Sequence, residues 1–347
     1  MLERELYEHY QIDLEQALNI GDDMIIKGSG NHYLLRNIAS LDKRRILEQE
    51  RMTQFLMTQQ EPDIITPLKS TSGHERTIID GQEAIIYQFQ DEQINRNSNE
   101  TERSIGKRLA RFHLRGEHFE PTSSVWQGTW LSWKNRWMKR LDQLEKWYVH
   151  KQQEHYKSEM DESFLLTFPY FLTVTENAIQ MIVDTQLNDP FSIREGRGNT
   201  ICHRRFYEGS WITLDEKAVA RYKVPADFVY DHFSRDVAEY LRHICTETIP
   251  FAQKIKRIER FLHRYQMIRP LKNHDAILVV TRIMFPVHYF DLIEAYYRSV
   301  DERRKSVMEE DLMSLFTQAE EYETLLHHIS KFFLIPNEFF PHWLAKK

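Results

Sequence analysis

The chain has 347 residues, 41% of them hydrophobic and 28% charged, which excludes a disordered polymer and predicts more than one compact core. Gly and Pro number only 11 each, so collagen-like and Gly-rich low-complexity architectures are ruled out. A net charge of −6 and a pI near 6.3 give no general pull toward nucleic acid or an anionic membrane, and two cysteines, Cys202 and Cys245, cannot build a disulfide framework.

The N-terminal MLERELYEHYQIDLEQ carries four Glu and an Asp and no apolar run, so it does not read as a signal peptide. No stretch approaches eighteen uncharged apolar residues, so no membrane span is expected. The expectation is a protein made and folded in a cytoplasm.

The first ninety residues read as strands around one helix. MIIKGSG and HYLLRNIA form a hairpin hinged at Gly28-Ser29-Gly30. From Ser40 the period becomes helical through Ile46, Leu47, Met52, Phe55 and Leu56, ending near Gln60-Glu61-Pro62. DIITPLKS, ERTIIDG and QEAIIYQF are three further strands, the last two turning at Asp80-Gly81. The polar QDEQINRNSNE then reads as a hinge, dividing a β-rich segment, 1–90, from a helical one, 91–347.

Helices are expected over TERSIGKRLARFHLRG, from Trp126 to His150, and from Ser163 to Gln186 with an interruption near Pro169. GNTICHRRFYEGSWITLDEKAVARYKVPADF breaks the helical period with short β runs, and helix returns from Phe233 onward. Trp126, Trp130, Trp133 and Trp137 make one helical stripe, which fits a buried face, the lining of a substrate cleft or a protein-docking face. Sixteen histidines invite a metal reading, but neither His327-His328 nor His113…His118 has i,i+4 spacing with a carboxylate, so no metal site is expected.

A small β-rich lobe, a hinge and a larger helical lobe with a β insertion is the element order of protein-kinase-like folds, an α+β two-lobe architecture. Four segments carry the resemblance. Ile105–His113 resembles the helix after the hinge in aminoglycoside-phosphotransferase-like kinases. Ile201-Cys202-His203-Arg204-Arg205-Phe206-Tyr207-Glu208-Gly209-Ser210-Trp211 resembles their catalytic loop, usually His-Gly-Asp-(Phe/Leu)-His-x-x-Asn and then an apolar residue. Tyr230-Asp231 through Asp236-Val237-Ala238 is similar to the helix that follows their metal loop, here 223–231. Leu34-Leu35-Arg36 sits where the strand carries the phosphate-binding Lys. Within that superfamily the chain resembles the CotS-like spore coat proteins.

That resemblance implies a degenerate site. Phosphoryl transfer needs a carboxylate to orient the nucleophile, oxygen ligands for Mg²⁺ and a cation on the nucleotide phosphates. Arg205 stands where the catalytic Asp belongs, Ser210 where the metal-binding Asn belongs, and Arg36 where the Lys belongs. A guanidinium neither accepts a proton at neutral pH nor tolerates Mg²⁺ beside it. The usual spacing back from Asp236 puts Val224 at the metal-binding Asp, with Asp227 substituting if the loop has slipped. Asp236 is expected to anchor the loop backbone, a job that outlives catalysis. Arg36, Arg204 and Arg205, with His203, make the site a candidate for anions, or for Arg205 neutralised by Asp227 or Asp236. The implied function is an inactive kinase-like protein, synthesised in the mother-cell cytoplasm, that binds other coat proteins at the endospore coat. It would need no cofactor and touch no nucleic acid. Two alternatives stay open: a small-molecule kinase using ATP and Mg²⁺ through Asp227, helped by Glu208 or Asp231, and a ligand-binding sensor.

Overall fold

The computed structural model describes residues 1–20, 23–39, 42–89, 104–122, 129–188, 196–214 and 220–336. The chain divides into two compact units: Met1–Arg103, His118–Thr122 and His203–Val229 form the first, and Ser104–Glu117, Ser123–Cys202 and Tyr230–Lys347 the second. The expected hinge over 90–100 lies outside the described residues.

In the first unit, strands β1 (Leu14–Ile20), β2 (Asp23–Gly28), β3 (Asn31–Asn37), β6 (Gln82–Gln88) and β4 (Thr66–Pro67) pair in that order, with β5 (Thr77–Ile79) also on β6. Ser29 and Gly30 take φ of 48° and 76°, and Asp80 and Gly81 take 49° and 75°, so both expected hairpins close through two-residue turns of the hand that suits strand twist. Alternation along the strands then sends Leu34, Ile85 and Tyr87 to one face and Tyr33, Ala84 and Ile86 to the other. The second face is covered by helix α1 (Leu2–Tyr10) through Leu6 and Tyr10. Neither α1 nor β1 was expected from the sequence.

The first face is covered by α2 (Lys43–Thr58) and by residues far along the chain, Ala220, Tyr222, Val224 and Ala226. This is why the unit does not end at residue 90. The short hairpin of β8 (Trp211–Ile212) and β9 (Tyr222–Lys223) is tied to 63–65 through the bonds Lys223 N to Asp63 O and Ile65 N to Lys223 O, 2.7 and 3.2 Å.

The second unit is built of α3 (Ile105–Gly116), α4 (Trp133–Gln153), α5 (Glu159–Asn188), α6 (Ser234–Thr246), α7 (Phe251–Gln266), α8 (Asn273–Met284), α9 (Val287–Arg298), α10 (Glu302–Thr317) and α11 (Ala319–Phe332). Strands β7 (Asn199–His203) and β10 (Phe228–His232) form a separate pair. The break expected at Pro169 is absent, and α5 runs through it. Pro169 is on the exposed face of the helix. Buried Phe164, Phe168 and Phe171 hold the helix on both sides of the proline.

Asn273–Arg298 contains an 18-residue window with a mean hydropathy of 1.6 and by length and composition could cross a membrane. In the structure it is two helices, α8 and α9, separated at Phe285-Pro286, and Leu278, Val279, Val280, Ile283, Phe290 and Ile293 are fully buried, so it serves as core.

Candidate functional site

The segment after β7 turns on its aromatic residues. His203 is 1% exposed and its Nε2 accepts a hydrogen bond from Trp211 Nε1 at 2.9 Å, inside a cage of Phe206, Trp211 and Phe228 rings. A nitrogen that accepts carries no proton, so His203 adds no positive charge, contrary to expectation. Phe206 is buried and pins the loop, while Arg204 and Arg205 are exposed. Ser210 Oγ accepts from Tyr207 N and donates to Arg205 O, both at 3.0 Å. Its proton is committed to closing the turn that presents Arg205.

Val224, the residue that family spacing puts at the metal position, is 3% exposed in the apolar core of the first unit. The carboxylate brought beside Arg36 is Asp227, at the end of the turn Pro225–Asp227. The turn is fixed from two directions. Gln49 Nε2 of α2 donates to Ala226 O at 2.5 Å and to Phe228 O at 3.2 Å. Asp227 O accepts from Arg204 N at 2.7 Å, which joins the loop carrying Arg205 to the loop carrying Asp227.

Arg36 lies on the sheet face that meets this turn. Its Nη1 and Nη2 reach Asp227 Oδ1 and Oδ2 at 2.6 and 3.3 Å, and its Nε reaches Asp23 Oδ1 at 2.5 Å, with a further Nη2 bond to Asp23. One guanidinium is thus held by two carboxylates, four donors engaged and one net negative charge left over. Burial disfavours the charged guanidinium, but the hydrogen bonds to Asp23 and the charge of Asp227 outweigh it and raise the Arg36 pKa. The sequence had offered Arg36 to an anion; in the structure its side chain is 16% exposed and engaged by two carboxylates. Asp23 was missed, although the hairpin register contains it: a two-residue turn that pairs Gly28 with Asn31 also pairs Asp23 with Arg36. Lys223 was missed as well. It is 2% exposed, 3.1 Å from Glu61, donates to Pro62 O at 2.9 Å, and its ammonium stands 4.7 Å from the Trp211 ring centre.

In the second unit, Asp236 is fully buried with Oδ2 3.2 Å from His113 Nε2, and His113 Nδ1 is 2.8 Å from Tyr265 OH. His113 is a packed residue, as the apolar face of α3 implied. His113, Cys202 and Asp236 offer ligand atoms within 4.8 Å of one another. Both imidazole nitrogens are already engaged, and burial, with the charges of Asp236 and Asp231, pushes the Cys202 thiol well up, away from a thiolate ligand. Asp231, 1% exposed, accepts from Trp133 Nε1 at 3.0 Å, Arg235 Nη1 at 2.9 Å and His232 N at 2.8 Å, which commits it to structure. Glu208 is exposed. Trp130, Trp133 and Trp137 are buried, with Trp137 stacked on Phe285 at 4.6 Å, so the stripe is core; Trp126 lies outside the described residues.

Residues 3–329 match the family described as "Spore coat putative kinase YutH". The chain belongs to this family. It is similar to the endospore coat-associated protein YutH of Bacillus subtilis (strain 168), at 31% identity over 307 residues, covering 87% of this chain and 84% of that protein. Solved structures with the same fold include the spectinomycin phosphotransferase APH(9)-Ia in complex with ADP and spectinomycin, with a TM-score of 0.64, 13% identity and coverage of 93% and 97% of the two chains. An aminoglycoside phosphotransferase from Alicyclobacillus acidocaldarius gives a TM-score of 0.60 at 11% identity, covering 92% and 93%. These similarities, with the β-rich first unit and the helical second one, establish the aminoglycoside-phosphotransferase, kinase-like fold. They leave the chemistry to be argued from this chain's own residues.

Proposed function

We propose that this protein is a spore-coat-associated member of the kinase-like fold that works by binding other coat proteins and does not transfer phosphate. Synthesis in the mother-cell cytoplasm followed by association with the coat is the matching itinerary, supported by the likeness to a coat-associated relative. The observation that carries the reading is the clamp on Asp227: its two oxygens bond Arg36 at 2.6 and 3.3 Å, in a segment where Arg205 and Ser210 replace the other two acidic or amide groups that chemistry needs. A Mg²⁺ ion would have to displace a guanidinium from a charge-assisted pair to reach that carboxylate. A second reading, a kinase acting through Asp227, has one observation in its favour: the carboxylate and the cation of a phosphate site are both present and adjacent.

Purified protein is expected to consume no ATP with Mg²⁺ or Mn²⁺ above the level of Asp227→Ala. It should also show no Mg²⁺-dependent melting shift at millimolar ATP, whereas saturation at a hundred times Kd stabilises a fold by about 2.7 kcal/mol. Turnover or a metal-dependent shift that Asp227→Ala removes would establish the kinase reading instead. A fluorescent fusion in sporulating cells is expected at the coat, and a diffuse mother-cell signal would refute the coat association.

A further inference from the structure

The face of the first unit's sheet that carries Ile85 and Tyr87 does not close completely on α2. Between them lies a cavity of about 210 Å³, with Ile46 and Met57 of α2 opposite the sheet and Ala226 at one end. A cavity near 150 Å³ lined by apolar side chains accepts benzene, so this space suits one six-membered ring and a short arm.

Its polar lining is one-sided. Glu50 and Glu75 both border the cavity, and among the described residues neither Lys nor Arg does. Glu50 pairs with Arg76 at 2.7 Å, whereas Glu75 has no ion pair among the described residues. Tyr87 borders the same space while only 3% exposed, and its hydroxyl has no hydrogen-bond partner among the described residues. Arg36, Asp227, Asp23 and Glu50 are the charges that act on that hydroxyl, three acids against one base, so its surroundings are negative on balance. The apolar walls favour a ring, and the carboxylates with the hydroxyl oxygen favour a donor of positive charge.

We propose that this cavity is a binding site for a small amine carrying one aromatic or cyclic apolar group. The ring lies between Ile85 and α2, and the ammonium group faces Glu75 and Tyr87. The cavity borders the Arg36–Asp227 clamp, since Ala226 and Tyr87 line it, but the proposal does not depend on whether the protein transfers phosphate.

Benzylamine is the probe, with benzyl alcohol and benzoate as controls of matched size, titrated into the full chain and followed by saturation-transfer NMR and calorimetry. The expected result is saturable millimolar binding of benzylamine, about tenfold or more tighter than either control, a ratio worth about 1.4 kcal/mol. Glu75→Gln should erase most of that preference. Met57→Trp, at a position 48% exposed on α2, should plug the cavity and abolish binding of all three probes. Should Met57→Trp fold poorly, Glu75→Gln still decides, because Glu75 is a partly exposed side chain outside the core. Equal binding of benzoate or benzyl alcohol, no saturable binding of benzylamine, or binding that Glu75→Gln leaves unchanged would overturn the proposal.

Discussion

Asp236, His113 and Tyr265 are all fully buried and form one line of polar contacts at 3.2 and 2.8 Å through the second unit. The imidazole satisfies both neighbours only while each keeps its role, so removing the carboxylate takes a buried partner from the ring nitrogen. Asp236→Ala is therefore expected to lower stability by about 1–3 kcal/mol, read from chemical denaturation. Unchanged stability in that variant would mean that the carboxylate does no structural work. The family resemblance pointed to this residue as an anchor of the loop backbone, and the contact seen here is to the His113 side chain. The clamp was legible only in half: Arg36 and Asp227 both stood out, but spacing favoured Val224. Only the turn at 225–227, set by Gln49 from another element, shows that Asp227 is the carboxylate brought to the sheet. Asp23 needed the hairpin register to be worked through, and its distance in sequence from any motif hid it.

Helices α6 and α8 meet over a buried charge cluster. Glu239 on α6 bonds Arg242 Nη1 at 2.5 Å and Arg282 Nε and Nη2 of α8 at 3.0 and 2.7 Å, while the Arg282 guanidinium also lies 4.4 Å from the Trp133 ring centre. Two guanidinium groups share one carboxylate, so Glu239→Gln leaves uncompensated buried charge and is expected to destabilise by about 3–5 kcal/mol. A loss under about 1 kcal/mol, the scale of an exposed pair, would refute this account of the joint. Helices of this kind were readable from period alone, because their apolar faces recur at helical spacing. The elements that were missed lack that signal. Strand β1 is exposed from Glu15 to Ile20, so no alternation marks it, and α1 is short and rich in charge although Leu2, Leu6 and Tyr10 lie on one side. Pro169 misled in the other direction, since a buried run of aromatics on both sides outweighs one missing backbone bond.

For the molecule as a whole, composition predicted more than one core, but assigning 203–229 to the first unit required long-range pairing that no local pattern shows. The charge network sets its response to acid. Burial alone would raise the pKa values of Glu239, Asp161 and Asp275. Arg242 and Arg282 reverse this for Glu239, the Ser158 and Tyr297 hydrogen bonds for Asp161, and the facing His232 for Asp275, so all three are held below their ordinary values of 4.5, 3.8 and 3.8. Glu145, raised by burial and by Asp142 and Glu176, works in the opposite sense but is mostly exposed. A carboxylate whose pKa falls on folding binds fewer protons in the native state, so its stabilisation is complete above the unfolded value and is lost as pH falls through the folded one. All three depressed groups lie in the second unit, together with the buried Trp130, Trp133 and Trp137. The denaturation midpoint read by tryptophan fluorescence is therefore expected to hold steady between about pH 6 and 8 and to fall progressively below roughly pH 4.5. Glu239→Gln should flatten part of that fall, because the variant has already lost the group whose protonation drives it. A midpoint that stays level down to about pH 3, or a slope that Glu239→Gln leaves untouched, would show that the cluster does not govern acid stability.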